Sequence, residues 1–141
     1  MGPAAATAAA EEPTLEGGRM PEHPDQEGVL LVRAHREAAL EALSHSLGTS
    51  SLCALSRTGR AMPAAKFHEG ASRAFADVLR AAGAAPDDEL EAIVVAVAAR
   101  WEADEAGRAG LGPDWAAYAA GGGEGLADLV DELRARAVVR R

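Results

Sequence analysis

The sequence predicts an all-α fold, a small domain of four to five helices over residues 27–141 behind a disordered tail over residues 1–26. Three features predict it. β-Branched residues are few, with one Ile, nine Val and four Thr, too few to pack the pleated faces of a sheet. Ala, Leu, Glu and Arg dominate instead, and all favour helix. Gly and Pro fall between runs whose apolar residues recur at helical spacing.

The tail is rich in Ala, Pro, Gly and Glu and holds almost no large apolar residue, so it has nothing to bury. The first helix is predicted over Gln26 to Leu47, with Asp25 capping its start and Gly48 supplying a left-handed end. Its stripe is Val29, Val32, Ala39, Leu43 and Leu47. A short helical turn follows Ser50, then a loop from Ser56 to Met62. Pro63 suits the first position of the second helix, which stops at Gly83. Phe67, Ala71, Phe75, Val78 and Ala82 share one of its faces, and the interior Gly70 is suited to close backbone packing.

Asp87, Asp88 and Glu89 after Pro86 mark the third helix by favouring the positive end of its dipole. Its stripe is Leu90, Ile93, Val94, Val97 and Trp101. Because Ala92 to Ala99 is apolar all round, it is expected to be the central, most enclosed helix, ending near Gly107. A Gly-rich loop is expected from Gly107 to Asp114. A brief helix over Trp115 to Ala120 is then broken by Gly121, Gly122 and Gly123. The closing helix covers Glu124 to Val138 on Leu126, Leu129, Val130, Leu133 and Ala137.

The formal net charge is -8, but residues 1–27 carry six acids and one base, whereas residues 28–141 carry sixteen acids and thirteen bases. The helical part is nearly balanced, which argues against duplex nucleic acid as partner. Cys53 is the lone cysteine, so no intrachain disulfide or thiolate cage is expected, in keeping with a reducing cytoplasm. The N-terminus lacks the basic region of a secretory signal, and the longest apolar run is too short to span a membrane. A core built largely from Ala buries little area per residue, so the chain is expected to complete its burial on a partner.

No segment carries a catalytic or metal motif. The window between Glu41 and Glu69 is free of acids and holds Arg57, Arg60, Lys66, His45 and His68. It leads into a helix start, where free N–H groups and Arg forks favour phosphate, although bases scattered on a solvated loop are the plainer account. His68 and Glu69 resemble half of a zinc motif, but Ser72 stands where the second His belongs. His68 is then a proton-transfer or ligand-binding group, or, more commonly, a packing residue beside Phe67. His35 and His45 point about 80° apart on a helix and are no metal pair. The Gly121–Gly123 run lacks the Lys-Ser/Thr of a phosphate loop. Trp115 and Tyr118 either anchor an interface or cap the small core. Arg134, Arg136, Arg140 and Arg141 suit a helix C-terminus.

The order of parts resembles a known family. A leading helix is followed by Leu-Cys-Ala-Leu-Ser-Arg-Thr-Gly-Arg at 52–60, and then by Glu69-Gly70-Ala71-Ser72-Arg73-Ala74-Phe75. A further helix, a Gly-containing break and Gly125-Leu126-Ala127-Asp128-Leu129-Val130-Asp131-Glu132-Leu133 close the chain. Over residues 29–136 this is similar to the small subunit of cyclic dipeptide oxidases of the albonoursin synthase type. The acidic tail and the long Gly107–Asp114 loop depart from the pattern. The resemblance implies a non-catalytic helical subunit of a hetero-oligomer or filament. Its larger, nitroreductase-like flavoprotein partner would carry FMN and desaturate Cα–Cβ bonds of 2,5-diketopiperazines. In such a complex the basic window of Arg57, Arg60, Lys66 and His68 would neighbour the flavin phosphate or an acidic patch on the larger subunit, with Phe67, Arg73, Trp115 and Tyr118 at the interface. The competing expectation is a small cytoplasmic helical regulator or adaptor that binds another protein through the Trp115–Tyr118 region. A self-standing enzyme is least expected, since no nucleophile–base pair is visible.

Overall fold

The computed structural model describes residues 26–48 and 62–140, which form four helices and, among these residues, no strand. They are α1 (Glu27–Leu47), α2 (Pro63–Ala82), α3 (Asp87–Ala109) and α4 (Pro113–Arg140). The all-α expectation is met, and the starts at Pro63 and beside Pro86 fall where the sequence places them. Gly48 and Gly83 close α1 and α2 at φ of 65° and 54°, a left-handed backbone that costs glycine little. The expected tail, the turn after Ser50 and most of the loop before Met62 lie outside the described residues, as do Asp25, Cys53, Arg57, Arg60 and Arg141.

Cross-helix contacts set an up-down-up-down course. Asp87 at the start of α3 meets Gly28 at the start of α1 and Arg140 at the end of α4. At the opposite end, Asp114 accepts a 2.7 Å hydrogen bond from the Met62 N–H, tying the start of α4 to that of α2. The parallel pair α2 and α4 forms the most extensive interface, with α1 packed on α2 and α3 on α4.

The expected break at Gly121–Gly123 does not occur, and α4 runs unbroken for 28 residues. Three interior glycines cost roughly 3 kcal/mol of helix propensity relative to Ala. Packing offsets this cost. A Cβ on Gly121 would overlap the Phe67 backbone, and a Cβ on Gly70 would overlap the Tyr118 carbonyl. The two helices therefore cross backbone to backbone, closer than side chains permit. A Cβ on Gly122 would collide with the Trp101 ring, so that glycine makes the seat for the indole. Gly123 is exposed and has nothing within 4 Å of its missing Cβ. The expected long loop from Gly107 also shrinks, because α3 continues to Ala109 and only residues 110–112 connect it to α4.

The most enclosed helix is α2, which packs extensively on both α1 and α4, and not α3 as its apolar run suggested, since α3 has one extensive interface, with α4. Ala92, Val95, Ala96 and Ala99 on α3 are exposed, Val95 at 43%. The core is more than alanine: Leu90, Leu126, Leu129, Val32, Val78, Val94 and Val97 are fully buried, around Phe75 and Trp101. Ala39, Ala71, Ala74 and Ala82 fill the spaces where helices approach closely. Ion pairs bind the outside. Arg140 reaches Asp87 at 2.9 Å and Glu27 at 2.6 Å, and Arg134 reaches Glu91 at 2.8 Å. Arg134 and Arg140 thus tie the end of α4 to α3 and α1, whereas Arg136 lies 3.9 Å from Glu132 on α4 itself.

Two glycine-to-alanine variants separate the packing role from the propensity cost. Gly121→Ala forces two backbones apart and is expected to destabilise the fold by roughly 3 kcal/mol or more, as overpacked cores do. Gly123→Ala, with open space for its methyl, is expected to stabilise by up to about 1 kcal/mol. Urea unfolding followed by circular dichroism distinguishes the two.

Candidate functional site

The predicted site residues fall into two groups on opposite sides of α2. Residues 66 and 68 are about 200° apart on a helix, and the structure places them accordingly. Lys66 is turned toward α4. Its ammonium sits 4.7 Å from the centre of the Trp115 ring and 3.0 Å from Glu69 Oε1. That carboxylate oxygen is buried without a well-aligned hydrogen bond, so the Lys66 charge is what compensates it. Lys66 is therefore committed to the fold.

His68 is turned toward α1. Its ring stands edge-on to Phe67 at 5.6 Å and borders an open groove with Ala38, Glu41, Ala42 and His45. Phe67 is half-buried, and its backbone meets Gly121. His68 and Lys66 do not face a common ligand. The described residues expected to serve a cofactor thus form no shared cradle for FMN. Among the described residues, no group of three His, Cys, Asp or Glu side chains is placed to hold a metal.

The residues that do come together lie where α2, α3 and α4 meet. Tyr118 stacks on Trp101 with ring centres 5.4 Å apart, and Trp115 stands edge-on to Tyr118 at 5.5 Å. The Arg108 guanidinium covers both members of the stack, 5.0 Å from Tyr118 and 5.7 Å from Trp101. The Trp101 indole N–H donates to Asp77 Oδ2 at 3.0 Å, and Asp77 Oδ1 accepts from Arg80 at 2.6 Å. Arg73 lies 3.9 Å from the same carboxylate. Tyr118 thus caps the core, whereas Trp115 remains 37% exposed at its edge. Of the two roles open to this pair, internal packing takes Tyr118.

Trp101, Asp77, Arg100 and Arg108 belong to this assembly but carry no local sequence signal for it. Trp101 is 24 positions from Asp77 and 17 from Tyr118, and these residues meet only once α3 folds back along α2 and α4. His35 is similar. It packs on Phe75 at 5.4 Å and bonds Glu132 at 2.8 Å, joining α1 to α4.

A second surface lies on the opposite flank of α3, against α4. Val95, Ala98, Ala99, Ala120, Gly123 and Ala127 form the floor of an open groove of about 530 Å³. Glu102, Glu105 and Glu124 stand on its rim, all exposed and none in an ion pair with a described residue. The Arg134–Glu91 pair is on the same two helices toward the other end. No described helix is long and apolar enough to cross a membrane.

Comparison with known proteins adds no relative: no family model, no curated protein and no solved structure matches this chain.

Burial pushes the Tyr118 phenol above its ordinary value of 10.0, against the opposing pull of Arg108 and Arg73. A raised folded value means that the folded chain holds the proton longer than the unfolded chain. The associated stability is fully present below about pH 10 and is lost as pH rises through the folded value. Tyr118 is the sole tyrosine, so phenolate absorbance reports it directly. The native chain is expected to ionise at higher pH than the chain in concentrated urea. Coincident titration curves would show the ring to be unenclosed.

Proposed function

We propose that this chain is a non-catalytic helical subunit that acts by docking onto a larger protein. Following the family resemblance, the partner is a nitroreductase-like subunit that carries FMN, and the complex is a cyclic dipeptide oxidase. The groove between α3 and α4 carries this reading. Soluble helices bury their apolar faces, yet α3 leaves Ala92, Val95, Ala96 and Ala99 exposed beside a floor of small residues. Small side chains let a further helix approach closely. The free acids on the rim, Glu102, Glu105 and Glu124, set the chemistry of that helix. Its apolar stripe is flanked by Lys or Arg, so that charges pair as the stripe is buried.

FMN in this reading is held by the larger subunit. Lys66 and His68 face apart, and Lys66 is taken by Glu69 and Trp115. The competing adaptor reading through Trp115 and Tyr118 is weaker, because Tyr118 is engaged by Trp101 and Arg108.

Co-expression with a nitroreductase-like flavoprotein from the same gene neighbourhood tests the proposal. A yellow complex retaining both chains is expected. Glu102→Lys with Glu124→Lys should weaken the complex by more than about tenfold while leaving the helical spectrum intact, because like charges then meet across the interface. Failure to co-purify, or a complex indifferent to that double reversal, would refute it.

A further inference from the structure

Three arginines line one cleft at the junction of α2, α3 and α4. Arg73 enters from α2, and Arg100 and Arg108 from α3. Tyr118, Trp101, Asp77 and Asp104 complete the wall. This clustering stands out in a chain of net charge -8. Against its two carboxylates, the three arginines leave the cleft one positive charge in excess. Asp77 is already engaged, one oxygen with the Trp101 indole and the other with Arg80, while Asp104 is exposed. Among the described residues neither Arg100 nor Arg108 is in an ion pair, and Arg73 is only loosely associated with Asp77 at 3.9 Å. Arg108 is held in place by the Trp101–Tyr118 stack beneath it, so its charge is pre-positioned without a carboxylate.

We propose that this cleft binds a compact oxyanion, a phosphate monoester, through Arg73, Arg100 and Arg108, with the Tyr118 hydroxyl as an uncharged donor. The cleft encloses about 220 Å³, below the ~300–1,000 Å³ range of sites for drug-sized ligands, which suits a small head group. One Arg fork satisfies a carboxylate, whereas three forks approaching from two helices match the several oxygens of a phosphate. Tyr118 keeps its proton at neutral pH and therefore donates to the anion instead of repelling it. The site lies on a different flank of α3 from the acid-rimmed groove, so anion binding and partner docking are separable.

The test follows the arginine Nε–H and Trp101 indole resonances of the full chain by NMR as inorganic phosphate, glycerol phosphate or acetate is added at constant ionic strength. Saturable shifts at Arg73, Arg100, Arg108 and Trp101 are expected with both phosphates and not with acetate. Arg73→Gln with Arg100→Gln should weaken phosphate binding by about tenfold or more, the loss of charge-assisted contacts. Arg33→Gln with Arg36→Gln, exposed on α1, should leave binding unchanged. Both Arg73 and Arg100 are exposed, and Arg100→Gln alone gives the same reading with a smaller loss where the double variant folds poorly. The proposal is overturned by absent or non-saturating shifts, by an equal response to acetate, or by a folded double variant that binds phosphate as the parent does.

Discussion

Where α2 crosses α4, no side chain separates the two backbones. Gly70 lies against Tyr118, and Gly121 lies against Phe67. Much else in the molecule depends on this approach. It draws the parallel pair together, so that Ala71, Ala74 and Phe75 on α2 join Leu126, Leu129 and Val130 on α4 in one core. One turn away, Phe75 fits beside Gly125, and Met62 is held by Asp114. The same glycine run makes the seat at Gly122 for Trp101. A helix that is poor by propensity is therefore stable by packing, the usual order of importance for helices in proteins.

The seating of Trp101 links the fold to both surfaces. With its ring on Gly122 and its N–H on Asp77, the indole fixes α3 against α2 and α4 together. On one flank it supports Tyr118 and Arg108, where the arginines gather. On the other it borders the groove with Val95, Ala99 and Ala127. Small residues serve opposite ends in the two places. At the α2–α4 crossing they are buried and bring helices of this chain together. Along α3 they are exposed and form the floor of the groove proposed for a partner helix.

Much of the fold was legible in local chemistry. Pro63 and the acids after Pro86 mark helix starts, Gly48 and Gly83 mark ends, and the stripes through Phe75, Val94 and Leu129 name core residues. Glycine misleads where its local cost is overruled by a distant contact: nothing near Gly121 in sequence indicates that Phe67 lies against it. Gly70, a glycine inside a strong helical pattern, was the one available hint of a close crossing. The apolar run over Ala92–Ala99 misleads for the converse reason, since periodicity reports how apolar a face is and not whether anything covers it. The candidate sites were the least legible. Lys66, Arg73, Trp115 and Tyr118 stand out in the sequence, but their grouping with Arg108 and Asp77, and the separation of Lys66 from His68, depend on the helix arrangement.

The most direct measurement is an NMR assignment of residues 115–126 with interproton contacts across the crossing. Helical Cα shifts through Gly121, Gly122 and Gly123, together with contacts from the Gly121 α-protons to Phe67 and from the Gly70 α-protons to Tyr118, are expected. Coil-like shifts at the three glycines with no such contacts would mean that the last helix is broken after all, and the architecture built on the crossing would be wrong.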